Sequence, residues 1–121
     1  MRIKWFLAVG IIAAAGVAAP GVASAALSDC PSNHMCLWGN NGFRWEIADR
    51  RAGSGTIKPL RGDADNEMDS WANRSASFTG CGFGGSNGTG DRQTFGRNSK
   101  DDNVAPFNSD EISSWRTANG C

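Results

Sequence analysis

The chain has 121 residues, with 12 basic and 12 acidic side chains, one histidine and four cysteines. Charge this evenly balanced leaves no basic face for a nucleic acid to bind, and a single histidine leaves little material for a catalytic triad or a zinc site. The length fits one small domain with a modest core, and such domains commonly need covalent staples.

The N-terminus reads as an export signal. Arg2 and Lys4 form a basic start, Trp5 to Ala19 is a short apolar run, and Ala23-Ser24-Ala25 is a small-x-small cleavage site. Residues 1–25 are therefore expected to be a secretory signal peptide, and residues 26–121 a single secreted domain that keeps no membrane attachment. Without Arg2 and Lys4 the domain carries 10 basic against 12 acidic residues.

All four cysteines, Cys30, Cys36, Cys81 and Cys121, fall in that domain. An even count in an exported chain points to two disulfides, for which three pairings exist. Cys30 and Cys36 are close enough to close a small ring, which would leave Cys81 to join Cys121.

Within the domain no stretch has sustained helical periodicity. Asn40-Asn41-Gly42 reads as a turn, and Phe43, Trp45 and Ile47 alternate as on one face of a strand. Gly53-Ser54-Gly55 reads as a second turn. Ser75 to Thr79 and Ile112 to Thr117 read as short strands, and the run from Gly80 to Gly90 as an exposed loop. The expected class is all-β, and Trp38, Trp45, Trp71, Phe78, Phe95 and Trp115 are the expected aromatic core.

A repeat organises these elements. Cys36-Leu37-Trp38-Gly39 and Cys81-Gly82-Phe83-Gly84 share the pattern cysteine, any residue, aromatic, glycine. Each is followed by an Asn-Gly pair and then by an acidic segment closing on Ser-Trp, at Ser70-Trp71 and Ser114-Trp115. The two units span about residues 30–75 and 76–121. Neither can cover its own apolar face, so the two are expected to pack as a sandwich of two Greek-key motifs.

The stretch Cys30-Pro31-Ser32-Asn33-His34-Met35-Cys36-Leu37-Trp38, followed by Asn41-Gly42-Phe43, resembles the opening of the crystallin-like peptidase inhibitors of actinobacteria, the Streptomyces-type metalloproteinase inhibitor and its relatives. Asp65 to Arg74 and Ser109 to Trp115 resemble the acidic-to-Ser segments of that family and of the wider βγ-crystallin superfamily. The resemblance implies a βγ-crystallin-like fold and a secreted inhibitor whose partner is an extracellular protease, with metalloproteases one class of target. The founding inhibitor's reactive disulfide hairpin, in its second half, has no counterpart here, since Cys81 and Cys121 are 40 residues apart.

Two candidate sites follow. A disulfide ring can hold a loop in its bound shape for a protease cleft, which nominates Pro31, Ser32, Asn33, His34 and Met35; the same ring also reads as a plain staple for the N-terminus. The superfamily's calcium pattern is two Asn/Asp, two variable residues, then Ser/Thr and Ser. It nominates Asn66 and Asp69 in the first repeat and Asp110 and Ser113 in the second. The first repeat departs from the pattern at Asp69 and the second at Ser109, whose carbonyl would have to serve. Ser70 and Ser114 can instead hydrogen-bond within folded turns. The expected function is peptidase inhibition by a monomer that needs no cofactor and has no catalytic residues. The alternative is a calcium-binding or structural module of the cell exterior.

Overall fold

In the computed structural model, residues 27–105 and 110–121 are described. Residues 1–25, expected to be an export signal, and Ser109 lie outside them. The described residues form eight strands: β1 (His34–Asn40), β2 (Arg44–Arg51), β3 (Lys58–Pro59), β4 (Ser70–Asn73), β5 (Gly80–Phe83), β6 (Arg92–Phe95), β7 (Ser99–Asp101) and β8 (Ser114–Arg116). All pairings are antiparallel, in two sheets of order β2-β1-β4-β7 and β3-β8-β5-β6. Each repeat supplies three strands to its own sheet and lends the third of its four to the other. That exchange makes the repeats one cooperative unit.

The repeated motif has a structural meaning. Along β1, Met35 and Leu37 point into the core between the sheets, and Cys36 and Trp38 point to the opposite face, as strand alternation requires. The equivalent inward positions of β5 are Gly80 and Gly82. A methyl group added at Gly80 would lie 2.6 Å from Met35 Sδ, and one at Gly82 would lie 2.8 Å from Phe95 Cζ. Met35 of the first repeat thus fills the space over Gly80 of the second, and Phe95 fills it over Gly82 within the second repeat, which is how close packing is reached in a core this small. Gly80 to Phe83 are buried strand residues, not loop; the expected loop is confined to residues 84–90. Glycine read as a turn signal because the partner across the sheet is invisible in the sequence.

The Ser-Trp pairs are explained in the same way. Ser70 Oγ donates to Asn40 O at 2.8 Å and accepts from Phe43 N at 3.2 Å. Ser114 Oγ donates to Gly85 O at 2.7 Å and accepts from Gly88 N at 3.0 Å. Each buried hydroxyl clamps the turn that follows its repeat's first strand. The next residue, Trp71 or Trp115, points into the core, where Trp71 meets Phe95 with ring centroids 4.9 Å apart. A second cluster of Cys30, Cys36, Trp38, Phe43 and Ala72 covers the outer face of the first sheet. Trp38 and Phe43 pack edge to face there.

Two of the expected core aromatics are not in the core. Trp45 is 47% and Phe78 42% exposed. Phe43 and Trp45 both have positive φ, and a bulge at Leu37/Trp38 pairs Leu37 with Ala48 but Trp38 with Glu46. The alternation assumed for Phe43, Trp45 and Ile47 is broken by this local geometry.

Ser75 to Thr79 is a connector between the repeats rather than a strand. Its shape is fixed by Asn73, a fully buried side chain. Asn73 Nδ2 donates to Phe78 O at 2.8 Å and Phe95 O at 2.9 Å, and its Oδ1 accepts from Ser75 N at 2.9 Å. Asn73→Ala would strand these groups in the interior and is expected to lower stability by about 2–3 kcal/mol, read from chemical unfolding of the two proteins.

Candidate functional site

Both expected disulfides are present, Cys30–Cys36 and Cys81–Cys121, and no described cysteine is free. The small ring is a tight turn. His34 N donates to Pro31 O, and Asn33 has φ 63°, as the third position of a type II turn requires. Further backbone groups of the ring bond to the chain next to β2 and β4. Asn33 N donates to Arg74 O, Ala52 N to Asn33 O, and Arg74 N to His34 O, while Arg74 Nη1 holds Cys30 O at 2.6 Å.

Pro31, Ser32 and Asn33 are exposed, and His34, half-buried, contacts Asp49 through Nδ1. Met35 is fully buried in the main core, which corrects its place among the protease-contact residues: strand alternation turns it inward, beneath Gly80. Four backbone groups, on Cys30, Asn33 and His34, thus tie the ring to the body of the domain, while Pro31, Ser32 and Asn33 keep their exposure.

The calcium candidates do come together. The acidic segments of the two repeats run side by side about a local pseudo-twofold. Asn66 N donates to Ile112 O, and Asp110 N to Met68 O. Asn66 and Asp110 have φ of 62° and 59°, a left-handed conformation that Asn and Asp tolerate better than other non-glycine residues. That accounts for Asn or Asp at this position in both repeats. Each then meets the fifth position of the other repeat: Ser113 Oγ donates to Asn66 Oδ1 at 2.9 Å, and Asp110 hydrogen-bonds Asp69. One junction is neutral and internally satisfied. The other sets two carboxyl groups against each other.

The Asp110 carboxyl is consequently pushed above the usual carboxylate range, by desolvation first, then by the charge of Asp69 and their hydrogen bond, and last by Glu67. Its folded state holds a proton more tightly than its unfolded state. Stability from this group is therefore present at low pH and lost as pH rises through its raised value. Melting temperature is expected to increase on acidification from neutral pH toward the ordinary carboxylate range, and Asp110→Asn is expected to flatten that increase. An unchanged slope in the variant would contradict this. Glu46 is also raised, by burial and then by Asp49 and Asp29, so part of the slope remains in Asp110→Asn.

Calcium wants 6 to 8 hard oxygen ligands. Asp69 and Asp110 are suitable donors, and Asp65 in the adjoining segment has a buried Oδ1 without a hydrogen-bond partner. Asn66 and Ser113 satisfy each other and fit the ion less well. The one other grouping of metal-type side chains among the described residues, Cys36, Glu46 and Asp49, is no metal site, because Cys36 is in a disulfide.

The peptidase inhibitor family I36 has a family model that matches residues 23–95, from ahead of the first disulfide through β6. The chain belongs to peptidase inhibitor family I36. Among curated proteins no sequence matches it. Solved structures extend the family assignment to the fold. A domain described in connection with the evolution of the eye-lens βγ-crystallin fold aligns with TM-score 0.58 at 12% identity, covering 71% of this chain and 86% of that one. A βγ-crystallin domain from Flavobacterium johnsoniae aligns with TM-score 0.55 at 16% identity, covering 72% and 97%. A mutant βγ-crystallin domain from Clostridium beijerinckii aligns with TM-score 0.53 at 17% identity, covering 68% and 93%. This member of the I36 family therefore has the βγ-crystallin fold, two Greek keys with an exchanged strand.

Sequence reasoning missed Phe83, a fully buried residue of β5 flanked by the guanidinium groups of Arg92 and Arg116 at 5.6 and 5.7 Å. The repeat held the signal for it, since Phe83 stands where Trp38 stands in the first copy.

Proposed function

We propose that this I36 member is exported, loses residues 1–25, and acts outside the cell as a monomeric inhibitor of an extracellular protease. The observation that carries the reading is the family match over residues 23–95. Two disulfides in so small a domain suit an oxidising exterior and give the rigidity that a protein inhibitor needs to bind without a large ordering cost. Among the described residues no helix is long and apolar enough to cross a membrane. The family match and the crystallin fold support the reading of a binder rather than an enzyme. Thermolysin-like metalloproteases and subtilisin-like serine proteases are the targets to test. Titrating the purified protein against both is expected to slow one of them stoichiometrically at micromolar concentration. Undiminished activity of both would count decisively against the reading.

A second reading, of a calcium-binding module, draws on the Asp69–Asp110 junction and the enclosed Asp65 oxygen. Calcium there would relieve the repulsion between the two carboxylates. Calorimetric titration with calcium is expected to give binding heat and a raised melting temperature, both lost in Asp110→Ala. No heat with the unmodified protein would remove this reading and leave the first untouched.

A further inference from the structure

Trp45 is placed unlike the other described tryptophans. Trp38, Trp71 and Trp115 are each at most 5% exposed, whereas Trp45 is 47% exposed. It stands near the start of β2, an edge strand of the first sheet. Its φ of 63° is a backbone conformation that bulky residues rarely adopt and that glycine would take without cost. The fold thus accepts local strain at Trp45 without burying the ring in return.

The indole packs against Gly39 of β1, where an added methyl group would fall 2.2 Å from Trp45 Cε3. Only a glycine at position 39 lets the ring sit down on the strand. Its sequence neighbours Arg44 and Glu46 are exposed, and Arg44 Nε donates to Asn41 O at 3.0 Å. A half-exposed tryptophan seated on a strand glycine is preorganised in the way an interface hot spot is.

We propose that Trp45 is the anchor through which this protein holds its protease, its indole filling an apolar pocket on the enzyme. The proposal rests on the inhibitor reading, and Trp45 lies inside the span matched by the inhibitor family. The disulfide ring offers less for this role, with Asn33 and His34 bonded to the body of the domain and Met35 buried. The pocket chemistry is common to metalloproteases and serine proteases with apolar specificity sites, and running both enzymes in the assay separates them.

The test compares Trp45→Ala, Trp45→Gly and Trp45→Phe, with Phe78→Ala as the exposed-aromatic control. Against whichever protease the unmodified protein slows, Trp45→Ala and Trp45→Gly are expected to weaken inhibition at least about 30-fold. Trp45→Phe should be intermediate and Phe78→Ala within about threefold. Circular dichroism and melting establish that each variant is folded. A second measurement does not depend on the variants folding to full stability. The protein carrying 5-fluorotryptophan is titrated with the same protease, blocked against turnover, and the Trp45 fluorine signal, identified by its absence in Trp45→Phe, is expected to shift.

Folded Trp45→Ala that inhibits like the unmodified protein overturns the proposal, as does a Trp45 signal that saturating protease leaves in place. A signal that responds to oligosaccharides and not to the protease overturns it too. In those outcomes the inhibitor reading stands so long as the unmodified protein slows a protease. If it slows none, that reading falls first and the Trp45 proposal with it.

Discussion

Trp115→Ala is expected to lower the unfolding free energy by about 3–5 kcal/mol, the range for removing a large buried aromatic. Trp115 is fully buried in the main core and sits on β8, opposite Gly82 of β5 on one side and Lys58 of β3 on the other. Gly82 has no side chain that could move into the vacated space. Across the sandwich, the Arg50 guanidinium lies 5.0 Å from the indole centroid, and its Nη1 donates to the Trp115 carbonyl at 2.8 Å. Its Nη2 reaches Thr56 O at 2.9 Å. Burial holds the Arg50 pKa below its ordinary value, and truncating Trp115 removes the aromatic face against which that cation rests. Since small domains have only about 5–15 kcal/mol of stability in total, the variant is expected to unfold at a far lower urea concentration. A loss below about 1 kcal/mol would mean that the neighbouring side chains collapse into the space.

Removing the Cys81–Cys121 disulfide, as Cys81→Ser with Cys121→Ser, is expected to cost about 4 kcal/mol, and removing Cys30–Cys36 about 2 kcal/mol. The difference comes from sequence separations of 40 and 6 residues: on the chain-entropy account the longer loop restricts the unfolded ensemble more. The long disulfide also secures the C-terminus against β5. Gly120 N donates to Thr79 O at 2.8 Å, and Arg116 Nε to Gly120 O at 2.8 Å; both bonds lose their tether when the bridge is cut. Denaturation midpoints of the two double variants decide the order. If loss of the short ring proves the more damaging, native-state packing of Cys30 and Cys36 against Trp38, and not loop entropy, governs their contribution.

The fold was legible because the chain repeats itself. Cys-x-aromatic-Gly and Ser-Trp recur at matched distances, and in the structure those residues are the outer-face pair, the turn clamp and the inward tryptophan of each Greek key. The disulfide pairing was legible from spacing alone. The candidate site was legible only in part. The pattern in the two acidic segments nominated Asn66, Asp69, Asp110 and Ser113, but not that Asn66 would engage Ser113 while Asp110 faced Asp69. That pairing crosses between repeats, and nothing within one repeat encodes it.

Sequence by itself therefore determined the class, the doubled architecture, the staples and the family resemblance, because each is a matter of residue type and spacing along one chain. Tertiary structure alone decided which aromatics are buried, that Gly80 and Gly82 lie in a strand, and that Met35 cannot face a protease. It also set Trp45 on the surface at a positive φ. The physical reason is common to all of these. Whether a position must be glycine, large, inward or strained depends on the atom that approaches it from the other strand or the other repeat, and that approach exists only once the two halves have exchanged strands and closed on one core.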